Sequence, residues 1–143
     1  MATHKGYFRP TNPQKYKGNP SNIVYRSSWE LRVMSYFDTH DDVVWWQSEE
    51  LSIPYICPTD SRKHRYFPDF LIRTKSGQTT LIEVKPKAQT KPPKKQDKIT
   101  RKYINEVMTY GKNQAKWNSA EAYCKAKGWS FTIMTEDQIF RNK

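Results

Sequence analysis

Two short apolar runs, each interrupted by a single acid, constrain this chain more than any other feature. Residues 67–72 read FPDFLI and residues 81–84 read LIEV, so Asp69 and Glu83 each lie within an apolar run. Between the runs, Thr-Lys-Ser-Gly at 74–77 is typical of a hairpin turn. An acid within an apolar strand costs free energy unless it is paired or binds a metal. We therefore expect residues 66–73 and 79–85 to pair as a hairpin that places Asp69 across from the region of Glu83.

The alternation of side chains along a strand groups the polar residues of the second run. Glu83 and Lys85 point to one face, while Ile82 and Val84 point to the other face and can enter a core. Two carboxylates and one ammonium then converge. Carboxylate oxygens suit Mg²⁺, with the backbone carbonyl of Val84 as a further ligand. Lys85 would position or deprotonate a water, or stabilise charge on a phosphate. The alternative is that both acids are exposed and that Lys85 forms a surface ion pair worth little.

Glu30 is a third candidate acid with two possible roles. Ser27 and Glu30 fit the S-x-x-E pattern of a capping box, which predicts that a helix begins near Ser27. Glu30 also shares one helical stripe with Val33, Met34 and Phe37, which suggests that it faces the interior. A capping role and a role in the metal site both remain open at this point.

The remaining pattern predicts an α/β protein with a mixed central β-sheet flanked by helices, folded as a single domain over residues 1–143. Strands are expected at 43–47, 51–56 and 129–134, and a short helix is expected after Thr135. Residues 97–127 read as helical, with a possible break at Gly111 and a stop at Gly128. The core-facing stripe of this helical region is expected to include Tyr103, Ile104, Val107 and Met108.

The charge of the chain points to a polyanionic partner. Lysine and arginine total 25 against 14 acids, which gives a net charge of +11. Residues 1–26 hold five cationic side chains, three prolines and no acid, which predicts an extended basic arm ahead of a core at 27–143. Residues 85–102 hold eight cationic side chains against one acid. Together the two segments favour binding to nucleic acid.

Several cationic side chains are candidates for DNA contacts. The predicted set is Lys15, Lys17, Arg26, Arg62, Lys63, Arg65, Lys87, Lys94, Lys95 and Lys98. Lys112, Gln114 and Lys116 share the long helical region and either touch DNA or form a solvated face.

Other function classes lack their signals. No apolar run approaches the roughly 18 residues of a membrane span, so no membrane partner is expected. There is no phosphate-binding G-x-x-x-x-G-K-[ST] loop for a nucleotide-driven motor. The cysteines and histidines show neither C-x₂-C nor H-x₃-H spacing, so no zinc site is predicted.

Four segments in this order resemble the PD-(D/E)xK nuclease superfamily. They are YRSSWE at 25–30, IPY at 53–55, RYFPDF at 65–70 and IEVKPK at 82–87. Within the superfamily, the arrangement is similar to the TnsA-type transposase endonuclease subunits, to the phage junction-resolving endonucleases and, most closely, to the head-completion nucleases of T-even-type phages.

The resemblance implies a restriction-endonuclease-like core and a Mg²⁺-dependent DNA endonuclease, with Mn²⁺ as a substitute metal. Glu30, Asp69 and Glu83 would form the acidic metal site, and Lys85 would be the catalytic lysine. The enzyme would hydrolyse phosphodiester bonds of double-stranded or branched DNA. It would act in phage head completion and DNA packaging, in the host cytoplasm during assembly or in the virion, with capsid or portal proteins as partners.

Two alternatives to this function remain. One is a DNA-binding structural head-completion protein with a vestigial site, and the other is a junction-resolving or repair nuclease. The junction-resolving enzymes carry a further acid where this chain has Gln47, a role for which Glu49 or Glu50 could substitute.

Overall fold

A mixed four-stranded sheet lies at the centre of the computed structural model, which describes residues 5–141. The strands are β1 (Gly6–Phe8), β2 (Ile23–Tyr25), β3 (Val43–Ser48), β4 (Ile53–Ile56), β5 (Lys63–Tyr66), β6 (Phe70–Thr74), β7 (Thr79–Val84) and β8 (Ser130–Met134). The helices are α1 (Ser28–Thr39), α2 (Arg101–Lys127) and α3 (Glu136–Ile139), with 3₁₀ turns at Pro13–Lys15 and Lys87–Thr90. The central order is β3-β6-β7-β8, in which only the β7–β8 pair is parallel. The predicted α/β class and mixed sheet are confirmed.

Both faces of the central sheet are covered, so that residues 70–72 of β6 and 81–84 of β7 are all buried. One face packs against α1, with Phe70, Ile82 and Val84 in the same cluster as Phe37. The opposite face packs against α2 and the hairpin formed by β4 and β5. Any acid on a strand of this sheet is therefore close to a desolvated environment.

The boundaries of the two long helices follow local capping chemistry. The Ser27 hydroxyl accepts the backbone N–H of Glu30 at 3.1 Å, so α1 begins where the capping pattern predicts. Gly128 closes α2 in the left-handed conformation, with φ of 73°. The predicted break at Gly111 is wrong, because α2 runs through it unbroken. One glycine costs only about 1 kcal/mol in a helix.

The expected core stripe at the start of α2 is also wrong. Ile104, Val107 and Met108 are exposed, and the buried side chains of α2 begin only at Asn113. The reason is length, because 27 residues of helix extend about 40 Å whereas strands of five or six residues extend about 17–20 Å. The first turns of α2 therefore project beyond the sheet. No helix in residues 5–141 is both long and apolar enough to cross a bilayer.

Residues 5–26 of the predicted extended arm pack on the core and include two short strands. β1 and β2 pair antiparallel, and Phe8, Tyr16 and Ile23 are buried in the core on the α1 side. The buried carboxylate of Asp38 accepts the backbone N–H groups of two residues in the connecting segment, at 2.7 and 3.0 Å. The prolines shape a tight turn, while the apolar residues around them provide packing. Of the predicted 1–26 arm, residues 1–4 lie outside the described range.

We expect Phe8→Ala to destabilise the protein by about 3 kcal/mol, because it leaves a cavity against Trp46, whose ring lies 5.8 Å from that of Phe8. Chemical denaturation would measure this loss. The matched control is Tyr7→Ala, because Tyr7 is 68% exposed, and its effect should stay within about 0.5 kcal/mol. Equal stabilities of the two variants would restore the interpretation of a free arm.

Candidate active site

Asp69 lies in a break between two strands rather than within one. β5 ends at Tyr66 and pairs with β4, whereas β6 begins at Phe70 and pairs with β7, so the predicted single strand over 66–73 is wrong. Pro68 has no N–H to donate to a strand ladder, which favours a break at this point. Asp69 itself replaces the missing pairing, because its Oδ2 accepts the backbone N–H of Val84 at 2.7 Å. The backbone is thereby fixed with the carboxylate at the end of the hairpin.

Glu83 lies one register step beyond the pair formed by Phe70 and Ile82, which places it across from Asp69. Its side chain is buried on the α2 face of the sheet, with 7% of the residue exposed. The hydroxyl of Tyr66 donates to Glu83 Oε1 at 2.7 Å. Lys85 Nζ lies 3.9 Å from Glu83 Oε2, at the limit of an ion pair. The structure thus brings Asp69, Glu83 and Lys85 together.

The two acids of the hairpin repel one another in a desolvated setting. Burial raises the pKa of Asp69 well above its usual range, and the neighbouring charges of Glu83 and Glu30 raise it further. The Val84 N–H and Lys85 oppose this shift in part. Burial likewise raises the pKa of Glu83, against the Tyr66 hydrogen bond and the charge of Lys85. Negative charge at this site is therefore only partly compensated by the protein.

Glu30 combines features of both roles considered for it. Its Oε1 accepts the backbone N–H of Arg26 at 3.2 Å, one residue before the Ser27 N–H of a standard capping box. The side chain is also close enough to raise the pKa of Asp69 by its charge. Burial raises the pKa of Glu30 itself, against the hydrogen bond from Arg26 and the charges of Arg26 and Lys85. Glu30 therefore does not complete the predicted capping box, but holds the backbone just ahead of α1 while its charge acts on Asp69.

The donor set fits a hard divalent cation. Carboxylate oxygens are the preferred ligands of Mg²⁺, and a bound cation would offset both the burial that raises the pKa values of Asp69 and Glu83 and the charge of Glu83 that acts on Asp69. The ligand oxygens of Glu30, Asp69 and Glu83 do not all lie within 4.8 Å of one another. The three carboxylates therefore do not all meet at one point as the ligands of a single first coordination shell would.

Tyr66 is a residue of this site that the sequence patterns did not predict. A buried tyrosine normally finds a hydrogen-bond partner for its hydroxyl, and Tyr66 is 4% exposed. Because Tyr66 lies only three residues before Asp69, its position in the chain already placed it near the acidic site. By holding Glu83 Oε1, Tyr66 orients that carboxylate toward Asp69 and Lys85.

A second group of possible metal ligands lies in the loop between β4 and β5. Ligand atoms of Cys57, Asp60 and His64 fall within 4.8 Å of one another, a C-x₂-D-x₃-H spacing that a search for cysteine and histidine pairs misses. These atoms already have partners: His64 Nε2 lies 2.8 Å from Asp60 Oδ2, and Cys57 Sγ lies 3.1 Å from the Thr59 hydroxyl. The contacts close the loop. Both cysteines of the chain, Cys57 and Cys124, are free and buried.

Several predicted DNA-binding side chains contact the protein itself. Lys15 Nζ donates to the backbone oxygen of His40 at 2.8 Å, and Lys17 Nζ lies 4.4 Å from the centre of the Trp45 ring. Others have ionic or aromatic partners within the protein: Arg26 pairs with Glu49, Lys87 pairs with Asp137 at 3.1 Å, and Arg65 lies 5.5 Å from the Phe67 ring centre. Within residues 5–141, the remaining predicted side chains are exposed and make no hydrogen bond or ion pair: Arg62, Lys63, Lys94, Lys95 and Lys98.

Gln47 and its two possible substitutes as a further acid, Glu49 and Glu50, all bind residues of the N-terminal segment. Gln47 donates to the backbone oxygen of Lys17 at 3.1 Å, and Glu50 accepts the hydroxyl of Tyr16 at 2.9 Å. Glu49 pairs with Arg26. All three side chains therefore bind residues between 16 and 26, and hold that segment against β3 and the loop after it.

Two comparisons with known proteins identify the family of this chain. Residues 40–136 match the family model described as TnsA-like endonuclease N terminal, a range that includes Asp69, Glu83 and Lys85. Over 140 residues the chain is 38% identical to the head completion nuclease of Enterobacteria phage T4, a match that covers 95% of this chain and 93% of the phage protein. The chain is a DNA-cleaving enzyme that belongs to the family of TnsA-like endonucleases.

Proposed function

We propose that this protein is a Mg²⁺-dependent DNA endonuclease that acts in phage head completion and DNA packaging. The observation that carries the proposal is the desolvated pair of Asp69 and Glu83 beside Lys85, at the end of the β6–β7 hairpin. A folded protein gains nothing from two carboxylates that repel one another in this way, unless a cation joins them. In this proposal Mn²⁺ can substitute for Mg²⁺, because carboxylate ligands bind both ions.

Each residue of the centre has a definite part in hydrolysis. Asp69, Glu83 and the backbone carbonyl of Val84 would hold the cation, with Glu30 acting from the N-terminus of α1. Bound Mg²⁺ would polarise the phosphodiester and lower the pKa of its coordinated water. Lys85 orients the attacking water, or stabilises the charge that develops on the phosphate. Tyr66 holds Glu83 in place. Water would attack the phosphorus and the P–O3′ bond would break, so that the products carry a 5′-phosphate and a 3′-hydroxyl, as the resemblance to this nuclease superfamily implies.

The DNA-binding surface would include the loop between β7 and α2. Its lysines are exposed, and a cleft of about 640 Å³ next to it is lined by Lys91, Arg101 and Lys102. Such a surface neutralises backbone phosphates without reading bases, and suits double-stranded or branched DNA. Because Gln47, Glu49 and Glu50 all contact the N-terminal segment, they supply no further acid. Their contacts favour a head-completion nuclease over a junction resolvase.

The biological setting follows from the relative in phage T4, which is named a head completion nuclease. The present protein would act in the host cytoplasm during assembly, or within the virion. Capsid or portal proteins would be its partners there. A structural head-completion protein with a vestigial site would need no intact acid pair, so cleavage assays separate that alternative directly.

We expect Asp69→Asn and Glu83→Gln each to lower the rate of DNA cleavage in Mg²⁺ by about 1,000-fold or more, because each removes a ligand charge worth several kcal/mol in the transition state. Affinity for DNA should be unchanged or higher, since each change also removes repulsion against phosphate. Gel assays with linear, branched and single-stranded DNA, with Mg²⁺, Mn²⁺ or EDTA, measure both effects. Glu121→Gln, an exposed change on α2, is the control. Cleavage at the wild-type rate by either variant would contradict the assignment.

The same acid pair predicts how stability depends on pH when no metal is bound. The folded-state pKa values of Asp69 and Glu83 lie above 3.8 and 4.5, so the folded state binds these protons more tightly than the unfolded state does. Stability should therefore fall as pH rises from those values through the raised pKa values. In EDTA at about pH 7.5, Asp69→Asn should melt a few degrees higher than wild type.

Two further measurements test this stability prediction. The advantage of Asp69→Asn should shrink as the pH is lowered toward about 5, because a lower pH favours protonation of a carboxyl whose pKa is raised and so removes its buried charge. Adding Mg²⁺ should raise the melting temperature of wild type more than that of the variant. A variant that melts lower than wild type in EDTA at both pH values would show that Asp69 is not under charge strain.

The exposed lysines predict a salt dependence of DNA binding that is independent of catalysis. The log–log slope of affinity against salt should be about −0.9 for each phosphate contact. The double change Lys94→Ala with Lys95→Ala should flatten the slope by about two units and lower the affinity for all DNA sequences by the same factor. A control double change of Lys75 and Lys125 to alanine, both exposed and outside the loop, should leave the slope unchanged. An unchanged slope in the first variant would instead favour a solvated loop or an acidic protein partner.

A further inference from the structure

Lys116 on α2 is a second cation at the nuclease centre. It lies on the turn of helix that holds Asn113 and Trp117 against the sheet. Its Nζ is 5.8 Å from the ring centre of Tyr66 and 6.0 Å from that of Tyr55. Its charge acts on Glu83, lowering the pKa of that carboxyl, as Lys85 also does. The two lysines therefore approach Glu83 from different elements, Lys85 from the end of β7 and Lys116 from α2.

The ammonium of Lys116 lacks a hydrogen-bond acceptor. The side chain is half-buried, and burial lowers its pKa. An ammonium carries three N–H donors, yet across residues 5–141 it forms no hydrogen bond and no ion pair within 4.0 Å. Aromatic faces compensate only part of the lost hydration. A partly desolvated ammonium without an acceptor costs free energy, and an acceptor from outside the protein would offset that cost.

The chemistry of the surroundings identifies that acceptor. On Glu83, Oε1 is already held by Tyr66 and Oε2 faces Lys85. An anion placed beside Asp69 and Glu83 would meet both lysines at once. For a DNA-cleaving enzyme, the anion that reaches these carboxylates is the backbone phosphate, and charged hydrogen bonds to phosphate are among the strongest in proteins.

We propose that Lys116 donates to a non-bridging oxygen of the phosphodiester that is cut, opposite Lys85. This inference rests on the proposed nuclease centre. Because charge accumulates on those oxygens as the bond breaks, the contact strengthens in the transition state. Lys116 therefore contributes mainly to turnover, and only modestly to the affinity for DNA.

The test compares Lys116→Met with Lys116→Arg. Methionine keeps an unbranched stem that packs on Tyr55 and Tyr66 but has no charge, whereas arginine keeps the charge and the donors. Under single-turnover conditions with saturating DNA, the methionine variant should cleave about 10- to 100-fold more slowly than wild type. The arginine variant should be at least about tenfold faster than the methionine variant. DNA affinity in EDTA should differ by less than about threefold between the variants.

Lys125 supplies the matched control, since it is an exposed lysine of the same helix whose charge acts on neither Glu83 nor Lys116. Methionine and arginine at position 125 should cleave at similar rates. Melting temperatures of the four variants show that each is folded. A rate ratio near one between Lys116→Arg and Lys116→Met would overturn the proposal, whatever their absolute rates.

Asp69→Asn in the same experiment distinguishes a failure of the role of Lys116 from a failure of the nuclease centre itself. If it is inactive while the Lys116 ratio is near one, the nuclease centre stands and only the role of Lys116 fails. If it cleaves at the wild-type rate, the proposed centre itself is wrong. An inactive Asp69→Asn together with a large Lys116 ratio supports both.

Discussion

The hydrogen bond from the Val84 N–H to the Asp69 carboxylate is the interaction on which the architecture around the site depends. It replaces a strand pairing that Pro68 cannot make, and so allows β5 and β6 to separate and join different sheets. β5 then pairs with β4 on the α2 side, which brings Tyr66 to Glu83. A single side-chain contact thus couples the branching of the chain to the assembly of its acidic centre.

Local sequence patterns predicted the features that depend on neighbouring residues. The hairpin turn at 74–77, the position of Asp69 across from Glu83, and the start of α1 at Ser27 all follow from short-range alternation and capping. The division of 66–73 into two strands did not, because the apolar run continues through Pro68 and hides the change of partner. Where a strand finds its partner is a long-range property that alternation alone does not encode.

The errors elsewhere share a physical cause. The stripe at the start of α2 has the period of a packed helix, but a sheet of short strands has no surface for it to cover. The N-terminal segment has the prolines of a free arm, yet its sparse aromatic residues dock in the core. Tyr66 lies 17 residues before Glu83, and Lys116 lies on α2, yet both side chains come close to Glu83 in the fold. Composition and local spacing do not predict such long-range contacts.

The docking of Tyr16 also protects the sheet from other molecules. β3 is the outer strand of the central sheet, and an outer strand offers unpaired backbone groups to any passing extended chain. Here Tyr16 bridges to Trp46, and the N–H of Lys17 donates to the Trp46 backbone oxygen at 2.8 Å. Tyr16 and Lys17 thereby occupy part of that edge themselves. Where residues 16 and 17 cover it, this strand is closed to the intermolecular pairing that leads to aggregates.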